Sequence, residues 1–146
     1  MTNESKNSRL VLDTKPLIKL FAKEEGWDSV QQILLLIEEG RIEAAISVVT
    51  LTEIYYKYIH EKRMDLAKAR VEEIKYATYL KKISIDEKIA IKAGDFKGKH
   101  SIPIGDSFIA ATAFYSNAIL LSDDADFKKI PEIRVQCEQE FMSSIK

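Results

Sequence analysis

Between Leu120 and Phe127 the chain reads LLSDDADF: two leucines and a serine, then three carboxylates in four positions, then an aromatic. Carboxylates this close repel one another unless a cation neutralises them or water screens them. Asp123, Asp124 and Asp126 are therefore turn formers on a wet loop or parts of a cation site. Three more acids occupy comparable places. Asp13 ends the apolar run RLVLD, Glu53 follows the run IEAAISVVT, and Asp106 follows the loop GKHSIPIG. Each has a local explanation. Asp13 can cap the short helix that TKPLIKLF begins, with Pro16 in its first turn. Thr50 and Glu53 have the T-x-x-E spacing of a capping box, and Asp106 after Gly105 reads as an N-cap.

The chemistry open to these acids is set by what accompanies them. The chain has one cysteine and two histidines, so a zinc cluster has no ligands to draw on. Oxygen donors alone suit a hard divalent ion, Mg²⁺ or Mn²⁺. One or two such ions activate water, neutralise a phosphate oxygen and stabilise a leaving oxygen, which makes phosphodiester hydrolysis the natural reaction class. In-line attack of water on phosphorus with departure of the 3′ oxygen would leave a 5′ phosphate on the downstream fragment. His60 and His100 lie outside the acidic blocks, so no single side chain presents itself as the base.

Whether the acids meet depends on the elements that carry them. Strands are expected at RLVL, IEAAISVVT, ISID, AILLS and IRVQC, the last including Cys137 as a plain strand residue. Helices are expected at TKPLIKLF, 27–40 (Val30, Ile33, Leu34 and Ile37 in register, ended by Gly40), from LTEIYYKYI onward, 62–81 and 86–97. A further helix at DSFIAATAFYS would carry Phe108, Ala111, Thr112 and Tyr115 on one face. Alternation of strand and helix implies a parallel sheet covered on both faces, a three-layer α/β/α sandwich. In such folds polar chemistry gathers at the carboxyl ends of the strands. Asp13, Glu53, Asp106 and the Asp124–Asp126 pair are all expected at that edge, a coincidence that capping alone does not predict.

The 146 residues, with 46% hydrophobic content, suit a single domain, residues 1–8 forming a polar tail. No apolar run approaches a membrane span and the N-terminus lacks a secretory signal, so a cytoplasmic protein without membrane contact is expected. Net charge is −1 but uneven. Residues 57–82 carry eight Lys/Arg against four Asp/Glu, whereas 1–56 carry six against nine and 101–146 four against seven. A basic middle beside acidic ends suits a protein holding cations next to a polyanion, although a solvated lysine-rich helix face explains the charge equally well.

The blocks VLDTKPLIKLF, SVVTLTEIYY, IPIGDSFIAATAF and LLSDDADFKKI resemble, in order and spacing, those of PIN-domain ribonucleases. The chain looks most like the toxins of VapBC-type toxin–antitoxin pairs, over roughly Arg9 to Val135. The resemblance implies a central parallel sheet of about five strands and Mg²⁺- or Mn²⁺-dependent endonucleolytic cleavage of RNA. By position it assigns metal ligation and catalysis to Asp13, Glu53, Asp106 and Asp124, with Asp126 as a further ligand. It assigns supporting hydrogen bonds to Thr14, Ser107 and Ser122, and leaves Asp123 facing solvent. Several such toxins carry Asn where this chain has Asp124, which makes the present site more acidic. Lys15, Lys19, Arg63, Lys97 and Lys99 are candidate RNA contacts, with solvated surface charge as the plain alternative. The run Tyr55, Tyr56, Tyr58 and Ile59 reads first as core, while the resemblance implies a homodimer face and an antitoxin groove nearby. Two rivals keep the fold: a PIN-domain nuclease outside a toxin pair, and a non-catalytic PIN-like binding module. Phosphotransfer folds with an aspartate after the first strand fit less well; the haloacid-dehalogenase pattern DxDxT is DTKPL here, and the acid pair and lysine of a receiver are absent.

Overall fold

The computed structural model describes residues 8–145. The tail expected at residues 1–8 lies, Ser8 apart, outside the described residues. The first half of the chain runs β1 (Arg9–Leu12), α1 (Thr14–Ala22), α2 (Trp27–Glu38), β2 (Glu43–Ser47), α3 (Val49–His60) and α4 (Met64–Tyr76). The second runs β3 (Leu80–Ile83), α5 (Glu87–His100), α6 (Ile104–Ser116), β4 (Ile119–Leu121), a 3₁₀ turn (Ala125–Lys129), β5 (Arg134–Gln136) and α7 (Glu138–Ser144).

The strands form one sheet in the order β3-β2-β1-β4-β5, with every pairing parallel. Because the chain builds outward from β1 to β3 and then returns to place β4 on the other side of β1, the order reverses between β1 and β4. A reversal of this kind leaves a crevice outside the carboxyl ends of the two strands. Asp13 follows β1 and Ser122 follows β4, and the Asp13 N–H donates to the Leu121 carbonyl at 3.1 Å. Topology alone thus brings two of the acidic blocks together.

Side-chain alternation along β1 gives the sheet two apolar faces. Leu10 and Leu12 pack with Leu17, Ile33, Ile54, Ile74 and Phe141, from α1, α2, α3, α4 and α7. Val11 packs on the opposite side with Ile89 and Phe96 of α5, Ile109 and Ala110 of α6, and Phe127. The result is the expected three-layer α/β/α sandwich. Each fully buried Leu, Ile or Phe contributes about 1.5–3 kcal/mol, enough to hold the crevice walls rigid.

Several boundaries differ from the sequence expectation, each for a tertiary reason. The strand expected over IEAAISVVT stops at Ser47, whose hydroxyl accepts from the Val49 N–H at 3.2 Å, and the β-branched Val49 and Thr50 enter a helix instead. Thr50 is therefore inside the first turn of α3 rather than at its cap, and the T-x-x-E capping box does not form. The third strand is LKKI, not ISID, and the helix expected over 62–81 ends at Tyr76. Two lysines in a short strand at the edge of the sheet suit an edge that must not pair further. The GKH of the expected loop GKHSIPIG forms the end of α5, and Gly105 and Asp106 lie in the first turn of α6, whose cap is Pro103. On α6 the buried face is Ser107 and Ile109–Ala113, while Tyr115 is exposed. Cys137 is not a strand residue. Its Sγ accepts from the Glu140 N–H while Glu140 reaches back to the Cys137 N–H, closing a capping box that starts α7.

Candidate active site

The pocket is built around Asp13. Its backbone is extended and its Oδ1 accepts from the Thr14 N–H at 2.8 Å, capping α1. Its Oδ2 accepts from the Ser122 hydroxyl at 2.8 Å, and that same hydroxyl accepts from the Asp124 N–H at 3.0 Å. Asp124 in turn caps the 3₁₀ turn, its Oδ1 accepting from the Asp126 N–H at 2.9 Å. Capping and convergence are thus one arrangement: the bonds that satisfy helix-end donors also aim the carboxylates.

Glu53 reaches the pocket from α3. Its Oε1 accepts from the Thr14 hydroxyl at 2.6 Å, and the fully buried Thr50 hydroxyl lies 3.1 Å from that of Thr14. Its Oε2 rests against Gly105, where an added Cβ would stand only 2.6 Å away. A side chain at position 105 would need the space that the end of Glu53 occupies. Gly105→Ala should therefore leave α6 intact, alanine being the better helix former, but should push Glu53 aside. The expected result is an unchanged or higher melting temperature with divalent-ion affinity or ion-dependent activity lower by about tenfold, the usual cost of disturbing the groups that orient a ligand. Parallel melts and ion titrations would check it; a coupled loss of both would point to simple destabilisation.

Asp106, Asp124 and Asp126 each present an oxygen such that the three atoms lie within 4.8 Å of one another. Burial pushes the Asp106 carboxyl up to about 7, assisted by the negative charges of Asp13, Asp124, Glu53 and Asp126. Burial likewise pushes Asp13 up to about 6, against its hydrogen bonds from Ser122 and Thr14 and with help from Glu53 and Asp124. Both shifts are upward, and neighbouring carboxylates add to each, so the protein's own cations do not balance the pocket. A donor set made only of carboxylate and hydroxyl oxygens fits a hard divalent cation.

The structure brings Asp13, Glu53, Asp106, Asp124 and Asp126 together, with Thr14 and Ser122 bonded to two of them. Other expected contributors lie elsewhere. The Ser107 hydroxyl donates to the Ile104 carbonyl of its own helix at 2.6 Å and supports no pocket acid. Lys19 is buried and held by two carboxylates, so it is not available to a phosphate. Asp123 does not simply face solvent, because Lys19 grips it at 2.6 Å. Arg63 pairs with Asp65, Lys97 donates to the Ile102 carbonyl at 3.0 Å, and Lys99 pairs with Asp95 at 2.9 Å. Lys15 is well exposed, 3.9 Å from Asp123. His100 lies 3.5 Å from Glu132. Sequence reasoning missed Thr50 and Gly105 as parts of the pocket wall; the Thr50–Glu53 spacing was the available signal for Thr50, absorbed by the capping interpretation, and nothing local marked Gly105.

A doubly wound parallel sheet with converging acids at its reversal point defines the class, and a family comparison gives it a name. The PIN domain family model matches residues 10–133, and the chain belongs to that family. Among known proteins, it is 30% identical over 98 residues to Ribonuclease VapC4 of Mycobacterium tuberculosis (strain ATCC 25618 / H37Rv), covering 64% of this chain and 75% of that one. Solved structures share the fold, among them these two. VapBC2 from Rickettsia felis, bound to a DNA fragment from its promoter, superposes with a TM-score of 0.73 at 22% identity, covering 88% of this chain and 98% of that one. DNA-bound VapBC from Salmonella typhimurium does so with a TM-score of 0.72 at 21% identity, covering 90% and 98%.

Proposed function

We propose that the protein is a divalent-metal-dependent endoribonuclease and the toxin of a toxin–antitoxin pair. The observation that carries the chemistry is the convergence of five carboxylates, from four separate blocks of sequence, in one undercompensated pocket. The substrate class rests on family membership and on likeness to a relative named as a ribonuclease. The pairing rests on likeness to solved VapBC complexes.

In this reading Asp13, Glu53, Asp106, Asp124 and Asp126 would hold Mg²⁺ or Mn²⁺. When bound, the ion supplies a Lewis acid for the phosphate and lowers the pKa of water. The chain's own part is preorganisation. Ser122 and the Thr14 N–H fix both oxygens of Asp13, and the Thr14 hydroxyl fixes Glu53. Buried hydrogen bonds to carboxylates of this kind are the stronger, charge-assisted sort, so the pocket keeps its shape before any cation enters. Asp106, with its pKa near 7, holds a proton on its carboxylate in part of the cation-free population and releases it when positive charge arrives.

For the partner, the carrying observation is surface chemistry. Tyr58 is core, as its apolar run suggested, but Tyr56 is 59% exposed and Tyr76 is 76% exposed, with Tyr55, Ile59 and Met64 also open on α3 and α4. Exposed tyrosines and apolar side chains on these two helices suit contact with a second copy of the chain or an antitoxin segment. Among the described residues no helix is long and apolar enough to cross a membrane.

A direct test is RNA cleavage by the purified chain with EDTA, then with Mg²⁺ or Mn²⁺ restored. Cleavage should cease with chelation, return with either ion, and leave 5′ phosphate ends. Cleavage that persists in EDTA would reject the metal-dependent reading.

A further inference from the structure

The acidic turn contains one carboxylate that does not join the pocket, and the reason is a buried lysine. Lys19 on α1 is 7% exposed. Its ammonium lies 2.6 Å from Asp123 Oδ2 and 2.8 Å from Glu138 Oε2, partners 104 and 119 residues away in sequence. Glu138, the first residue of α7, is 1% exposed. Its Oε2 sits where a Cβ on Gly26 would be, 2.6 Å away, against the residue that caps the N-terminal end of α2. That position favours a negative charge on Glu138, whose Oε2 holds Lys19 while its buried Oε1 has no hydrogen-bond partner among the described residues. The arrangement joins the elements that follow β1, β4 and β5 at the carboxyl edge of the sheet.

Asp123 stands between Ser122, which donates to Asp13, and Asp124, whose carboxylate faces Asp106. Holding Asp123 by its side chain therefore fixes the turn on which Asp124 and Asp126 ride. It also keeps a further negative charge from entering a pocket where burial and repulsion already raise two pKa values. We infer that Lys19 is a positioning residue of the acidic pocket: anchored by Glu138, it grips Asp123 and so aims Asp124 and Asp126 at Asp106. The inference rests on the metal-site reading above and deepens it. Orienting groups behind a metal site typically contribute 10- to 100-fold to ion affinity.

For Lys19→Met electrostatics alone predicts the opposite sign, and for the charge-neutral double variant little change, which makes the idea testable. Asp123→Asn only checks consistency, since losing its negative charge also weakens cation binding. Deleting a positive charge near a cation site should tighten cation binding, whereas losing the clamp should loosen it. The experiment is calorimetric titration of the metal-free full chain with Mn²⁺, alongside circular dichroism, for Lys19→Met, Lys19→Arg, Asp123→Asn and the double variant Lys19→Met/Glu138→Gln. The double variant removes both buried charges together and so keeps the comparison open if Lys19→Met does not fold. Expected are Mn²⁺ affinities at least about tenfold weaker for Lys19→Met, the double variant and Asp123→Asn, with Lys19→Arg close to the parent chain. Parent-like or tighter binding in folded Lys19-deficient variants would overturn the clamp while leaving the metal site standing. A parent chain that binds no Mn²⁺ would overturn the metal site and the clamp with it.

Discussion

Asp13→Asn should lower ion-dependent RNA cleavage by on the order of 10³-fold, about 4 kcal/mol of transition-state stabilisation, and should at the same time stabilise the metal-free fold. The two effects have one source. Asp13 is 5% exposed, and burial raises its pKa from 3.8 to about 6. Keeping that carboxylate ionised at pH 8 therefore costs the folded state about 3 kcal/mol at 1.36 kcal/mol per unit. Asparagine preserves the shape and an oxygen for the Thr14 N–H, but removes the charge that the proposed cation site draws on. It also disturbs the Ser122 bond, so the net gain in stability should be smaller than the full cost. A variant that is inactive yet melts higher than the parent separates a functional acid from a structural one. Parallel cleavage rates and thermal melts at pH 8 read both; parent-like cleavage would remove Asp13 from the machinery.

The second large effect is a dependence of stability on pH that a divalent ion should reverse. Asp13 and Asp106 have folded-state values of about 6 and about 7, both above the ordinary 3.8. In the window between, the folded state binds more protons than the unfolded chain, so stability falls as pH rises. The loss begins near pH 4 and is complete by about pH 8. Asp95 and Asp123, with pKa values lowered chiefly by bonds from Lys99 and Lys19, act with the opposite sign but only at pH values below that window. The metal-free protein should thus melt on the order of 10 °C higher at pH 5 than at pH 8. Mn²⁺ should restore much of the difference at pH 8 and do little at pH 5, where protons compete for the same oxygens. Asp106→Asn should flatten the profile. A metal-free chain more stable at pH 8, and indifferent to Mn²⁺, would contradict the account.

The parts legible in the sequence were those governed by chain-local rules plus topology. Asp13, Glu53, Asp106 and Asp124 were visible because each closes a strand or opens a helix, and a doubly wound sheet delivers such positions to one edge. Hydrophobic periodicity located β1, β4, α1 and α2 well, because their apolar faces are also their packing faces. What escaped were features decided across the fold. Val49 and Thr50 favour a strand by residue type, yet α3 begins there so that Thr50 and Glu53 reach Thr14. LKKI lacks the apolar look of a strand because it lies at the sheet edge. Cys137 is an uncommon cap, so α7 announced itself only through Glu140 and the buried Phe141. Lys19 looked like a surface cation because its two partners are more than a hundred residues away. No spacing rule reports that a side chain at position 105 would meet Glu53.

The most direct measurement is anomalous diffraction from a crystal of the protein equilibrated with Mn²⁺. A Mn²⁺ peak among the carboxylates of Asp13, Asp106, Asp124 and Asp126, lost on soaking with EDTA, is the result that the proposed pocket requires. Bound Mn²⁺ found only at other sites, with this pocket empty at saturating ion, would contradict it.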